Sequence, residues 1–290
     1  MAVCADTRCF LCQLERNIAT ARKLGTEEQA TAFARDMLRL FADAPQGASA
    51  PSFNPEIAKL FQKHYGLDLD RFQKEKQDSN AFVLARMDQI RDKVRSAPDP
   101  VKAGLQFAIL GNYIDFNGLR GEVSFELLDE MLEKALEMVL NEDHYASLCR
   151  EFETGTRLLY LTDNAGEIGF DRIFAEEIQK KYPHIAITFC VRGGPAANDA
   201  TRADAAEVGI PFPVIDNGNC VPGTQLDQLS PEAKQAMEEA DVIVSKGQGN
   251  VETLLGCGYN IYYAFLIKCP MFMERFGKEK LTPMLVKERT

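Results

Sequence analysis

From Gly155 onward, short apolar runs alternate with helical stretches, and that rhythm leaves few architectures open. Strands are expected near 158–162, 186–191, 212–215, 242–245 and 261–266, and helices near 167–181, 201–208, 231–239 and 250–256. Right-handed crossovers between such strands make a mostly parallel, doubly wound sheet, an α/β fold of Rossmann-like type. The run Leu158-Leu-Tyr-Leu-Thr162 reads as a buried strand and then stops on Asp163, Asn164, Gly166 and Glu167. Open α/β sheets build their sites at the carboxyl ends of their strands, so chemistry is expected there.

Ahead of residue 153 the periodicity is helical. A helix over 10–24 ends at Gly25, and Thr26-Glu-Glu-Gln29 is a capping box that opens the next, to about residue 42. A Pro/Gly/Ser loop covers 44–53, after which Asn54 is expected as N-cap and Pro55 as first-turn proline of a helix to Tyr65. One long charged helix is expected over 69–95, closed by Pro98 and Pro100, then helices over 101–111 and 124–139 flanking a polar loop at 111–121. The chain thus divides into a helical domain, 1–153, and a Rossmann-like α/β domain, 154–290, that carries most of the site.

Composition narrows the partners. With 33 Lys plus Arg against 43 Asp plus Glu, the net charge is −10, and no basic run offers itself to a phosphate backbone. Small ligands or metal ions are the expected partners, not nucleic acid. No run of about 18 apolar residues could span a bilayer, and the first residues lack the apolar core of a signal peptide, so a cytoplasmic protein with no membrane partner is expected.

Three strand ends carry polar groups of one kind. They are Asp163-Asn-Ala-Gly-Glu167, Arg192-Gly-Gly-Pro with Asn198-Asp-Ala-Thr201, and Ser245-Lys-Gly-Gln-Gly-Asn250. Side by side, they could supply two carboxylates and an amide to a hard, oxygen-only ion, with Lys246 and glycine-turn amides holding an anion. Each has a plainer reading. Asp163 and Asp199 could cap helices, the glycines could be turn residues, and Lys246 could be a solvated surface lysine. The nucleotide P-loop pattern is not met, and Ala165 stands where a haloacid-dehalogenase phosphatase would carry its second Asp.

These segments, together with Gly111-Asn-Tyr-Ile-Asp-Phe116, closely resemble the metal-dependent damage-control phosphatases, once catalogued as domain of unknown function 89, and the N-terminal cysteine cluster resembles their prokaryotic subfamily. The resemblance implies a phosphatase acting on small phosphorylated metabolites, often sugar phosphates, with a divalent metal such as magnesium, manganese, cobalt or nickel. It carries metal binding onto Asp163, Asn164 and Asp199, and catalytic roles onto Asp163, Glu167 and Lys246. Asn112 and Asp115 would close the pocket from the helical side, with Arg192, Lys246 and Asn250 also on the substrate.

His64, His144 and His184 fall in no motif and are not expected to act as acid or base. Cys4, Cys9 and Cys12 form a C-x4-C-x2-C cluster open to three readings: part of a metal site, a redox pair, or helix packing. Two other functions stay open. The turn after the first strand loosely imitates that of an S-adenosylmethionine-dependent methyltransferase, although no G-x-G-x-x-G is present; a non-catalytic metal- or thiol-binding protein is the second.

Overall fold

A computed structural model of the chain describes residues 3–115 and 123–288. Among the described residues, eight α-helices precede the sheet: α1 Thr7–Leu24, α2 Glu27–Ala42, α3 Asn54–Tyr65, α4 Gln73–Leu84, α5 Met87–Ser96, α6 Pro100–Gly111, α7 Phe125–Glu133 and α8 Glu142–Thr154. Then come β1 Arg157–Leu161, α9 Glu167–Lys181, β2 Ala186–Val191, α10 Arg202–Glu207, β3 Val214–Asp216, α11 Pro231–Glu239, β4 Val242–Lys246, α12 Gln248–Leu254, β5 Ile261–Leu266, α13 Pro270–Phe276 and β6 Pro283–Lys287. The sheet order is β3-β2-β1-β4-β5-β6, parallel except for β6. The order reverses between β1 and β4, which opens a crevice at their carboxyl ends.

The expected α/β class and the Rossmann-like doubly wound sheet are present, with several local differences. The long helix expected over 69–95 is two helices, because the Arg86 guanidinium takes the Phe82 carbonyl at 3.1 Å and reaches Asp129 at 2.6 Å, and the chain turns there. Asn54 is already inside α3 and donates to the Pro51 carbonyl instead of capping. The Thr26 capping box forms, with Gln29 answering the Thr26 amide. The helix expected over 124–139 stops at Glu133 and continues only as a short 3-10 turn, Ala135–Glu137. Helices α8 and α13 and the antiparallel edge strand β6 were not expected. The loop expected at 111–121 is described only as far as Asp115.

One apolar core crosses residue 153. Val83 and Met87 of the α4–α5 stretch and Leu105, Phe107 and Ile109 of α6 pack with Tyr160 of β1, Phe170 and Phe174 of α9 and Val244 of β4. Helix α6 is buried all round, since Val101 and every residue from Ala103 to Gly111 lie inside. That burial delivers Asn112, at its carboxyl end, directly beneath the crevice. A second core under the other sheet face joins β1, β4 and β5 to α12 and α13, and a third joins α1, α2 and α3.

Candidate active site

Three strand ends meet at the crevice. After β1 the chain runs through Asp163 and Asn164 into Gly166, whose φ of +76° a glycine adopts at no steric cost, and α9 begins at Glu167. After β2 it runs to Asp199, and the two stretches pair as a short antiparallel bridge, Asn164 with Asp199, held by Ala200 N–H to the Asp163 carbonyl at 2.7 Å. After β4 it turns at Gly247, φ +79°, where any Cβ would run into the Asp163 carboxylate. Neither carboxylate caps a helix: Gly166 precedes α9 with no side-chain cap, and Thr201 with Asp204 caps α10.

Donors pack behind Asp163, Asn164 and Asp199, the three residues expected as ligands. Asp163 Oδ2 accepts from Asn164 Nδ2 at 2.7 Å and Asn112 Nδ2 at 2.9 Å, and Asn164 Oδ1 accepts from Asn198 Nδ2 at 2.8 Å. Asp199 Oδ2 accepts from Arg192 Nε at 2.6 Å. Among the described residues, no hydrogen bond reaches Oδ1 of either Asp163 or Asp199; the nearest cation to Asp163 Oδ1 is Arg192 Nη2 at 3.7 Å. Burial, then the like charges of Asp199 and Glu167, raises the Asp163 carboxyl well above the usual carboxylate range. Burial likewise pushes Asp199 up to about 6, against the pull of Arg192.

A cavity of about 380 Å³ opens onto this trio, and its wall includes Asp115, Asp163, Asn164 and Asp199. Asn112, Glu167, Arg192, Lys246 and Asn250, all expected at the substrate or in catalysis, are not on that wall. Lys246 is wholly buried and spends its three donors inside, on Glu167 Oε1 at 2.6 Å, the Ala108 carbonyl at 2.7 Å and Asp171 Oδ1 at 2.9 Å. Burial works to lower its pKa, but Asp171 and Glu167 leave it raised. The lysine supports the carboxylates from behind and has no donor left for phosphate, which corrects the expectation that it contacts substrate. Arg192 is equally buried behind Asp199. Asn250 binds the Thr162 and Lys246 carbonyls at 3.0 and 2.7 Å, stitching β1 to β4.

The residues missed from the sequence complete the cavity lining. Lys268, just past β5, pairs with Asp115 at 2.7 Å, and Gln248 Oε1 accepts the Lys268 amide at 3.1 Å. Lys268 follows the last parallel strand as Asp163 and Lys246 follow or end theirs, so the strand-end pattern contained a fourth member. Helix α1 also lines the cavity, with Arg8, Cys9, Cys12 and Arg16. Cys4 lies on the strand-like contact with Ser49, away from that wall, and among the described residues no three His, Cys, Asp or Glu side chains gather to hold a metal. His64 pairs with Asp36 at 2.9 Å and His144 with the Leu285 carbonyl at 2.9 Å, both away from the crevice. No described helix is long and apolar enough to cross a membrane.

Comparison with known proteins agrees with the fold. The sequence profile described as the damage-control phosphatase ARMT1-like domain matches residues 5–282. An uncharacterised protein of Methanocaldococcus jannaschii is 27% identical over 96% of this chain and 94% of its own length. Damage-control phosphatases of Pyrococcus horikoshii and Archaeoglobus fulgidus are 37% and 35% identical, over 57% and 61% of this chain and 58% and 64% of their own lengths. A crystal structure of a DUF89-family protein of Pyrococcus horikoshii superposes with a TM-score of 0.84 at 26% identity, over 99% of this chain and 100% of that one.

Proposed function

Since the chain belongs to the damage-control phosphatase ARMT1-like family, and two of its relatives are named damage-control phosphatases, we propose that it hydrolyses small phosphorylated metabolites, sugar phosphates among them, with a divalent metal held by Asp163, Asn164 and Asp199. The observation that carries this reading is the pair of carboxylates, Asp163 and Asp199, which line one cavity from turns that pair with each other and whose contacts, among the described residues, leave Oδ1 of each without a hydrogen bond. The charge balance supports it. Asp115, Asp163, Glu167, Asp171 and Asp199 stand against Arg192, Lys246 and Lys268, so the ionised cluster carries two negative charges in excess, the charge of one divalent ion. An all-oxygen donor set suits magnesium, manganese, cobalt or nickel.

A bound ion would offset the charge that develops on the transferring phosphoryl group and lower the pKa of water. The protein's own part is positioning. Asn112 and Asn164 hold Asp163 in one orientation, and Arg192 does the same for Asp199. Lys268 replaces Lys246 as the cation proposed to meet phosphate, because it lies on the wall, paired among the described residues with Asp115. Helix α1, which supplies another part of the lining, would bound the leaving group.

The test strips the protein with chelator, then assays a panel of phosphate esters with each metal, for the parent and for Asp163→Asn. Turnover should vanish in chelator, return with a divalent ion, and fall roughly 100-fold or more in the variant. In chelator near pH 8 the variant should melt at or above the parent's temperature, because it removes a charge that burial and its neighbours disfavour. Undiminished turnover in excess chelator, or a variant as fast as the parent, overturns the reading.

A further inference from the structure

Helix α4 turns a polar stripe inward: Lys76, Ser79 and Asn80 are buried, with Val83 one turn on. That stripe lies against both turns that carry the proposed ligands. Asn80 uses each end of its amide. Its Oδ1 accepts the Gly166 N–H at 2.7 Å, between Asn164 and Glu167. Its Nδ2 donates to Glu207 Oε2 at 2.6 Å and Asp204 Oδ1 at 3.1 Å. Asp204 in turn receives the Thr201 amide and hydroxyl at 2.8 and 2.7 Å, two residues past Asp199. Lys76 Nζ completes the second tie at 2.8 Å from Asp204, and Ser79 fills the space under Gly166 where a Cβ would collide.

One side needs an acceptor for a backbone N–H and the other a donor for two carboxylates. A buried amide of this length supplies both, whereas a carboxylate or a hydroxymethyl group would leave one side repelled or out of reach. We propose that Asn80 is a positioning residue of the metal site: it fastens the 163–167 and 198–204 turns to a single helix and so sets the separation of Asp163 and Asn164 from Asp199. The proposal rests on the metal reading above. Groups that orient ligands from behind cost roughly 10- to 100-fold in metal affinity when removed.

The experiment uses the full chain and three measurements: Mn²⁺ affinity from the electron paramagnetic resonance of free ion, amide hydrogen exchange in chelator, and melting temperature in chelator. Asn80→Ala, and Asn80→Asp, which keeps the side-chain shape, should each weaken Mn²⁺ binding roughly 10- to 100-fold. Both should speed exchange at the amides of Gly166, Ala200 and Thr201. Adding Glu207→Gln to Asn80→Asp should recover part of both losses, because the new amide can donate where the old carboxylate repelled. Val83→Ala, on the same buried face, should lower the melting temperature without either effect. Affinity within twofold of the parent together with unchanged exchange in the Asn80 variants overturns the proposal, as does an equal loss in Val83→Ala. A parent that takes up no Mn²⁺ overturns the metal reading instead, and exchange at the two turns then decides the clamp alone.

Discussion

Glu252 shows what burial does to a single group here. It lies on the cavity wall, 9% exposed, with Gln248 at 3.5 Å as its side-chain hydrogen-bond partner, and burial pushes its carboxyl up to about 7. The folded protein therefore holds this proton more tightly than the unfolded chain. Its stabilising effect is intact below the unfolded value near 4.5 and is lost as the pH rises through 7. Glu252→Gln should match the parent at pH 4 and exceed it by up to about 3 kcal/mol at pH 8, measured by urea unfolding across that range. Parallel stability curves would refute this. Residue types at the strand ends were readable in advance, because Asp, Asn, Lys and Gly stand out after apolar runs. Their orientation was not. That Lys246 faces inward follows from Asp171, one helical turn after Glu167 on α9, and from the Ala108 carbonyl of a distant helix, neither of which marks itself in the sequence.

At the scale of elements, the turn between β4 and α12 is set by Gly247. Its positive φ and the adjacent Asp163 carboxylate both exclude a side chain, so Gly247→Ala should displace Asp163 as well as strain the turn. Turnover should fall at least as far as in Asp163→Asn, and unlike that variant the melting temperature in chelator should drop. A substitution that leaves both near the parent's values would show that the turn relaxes freely. Strands β2 and β5 and helices α9 and α11 were legible to the residue, since each is a periodic run bounded by clear turn or cap signals. Strand β6 was not, because five residues opening on Pro283 at a sheet edge carry little period-two signal. The break between α4 and α5 was equally hidden. It depends on Asp129, which lies 43 positions beyond Arg86.

At the scale of the molecule, the helical and α/β parts share one core in which α6 lies against α9 and β5. Neither part buries its apolar face without the other, so urea unfolding should follow a single transition, with far-ultraviolet circular dichroism and tyrosine fluorescence coinciding. Two separated transitions would refute that shared core. The change in pattern near residue 153 was visible because it is local. The packing across it was invisible because it joins residues far apart in sequence. The cavity has a different division. The proposed phosphate end is built from strand ends and wedged by buried amides and ion pairs, whereas another part of the lining comes from α1, more than a hundred positions earlier in the chain. Substitutions on α1 can therefore reshape the space for a leaving group without disturbing the turns that hold Asp163 and Asp199. A protein so divided can change its choice of metabolite in small mutational steps while its chemistry stays fixed.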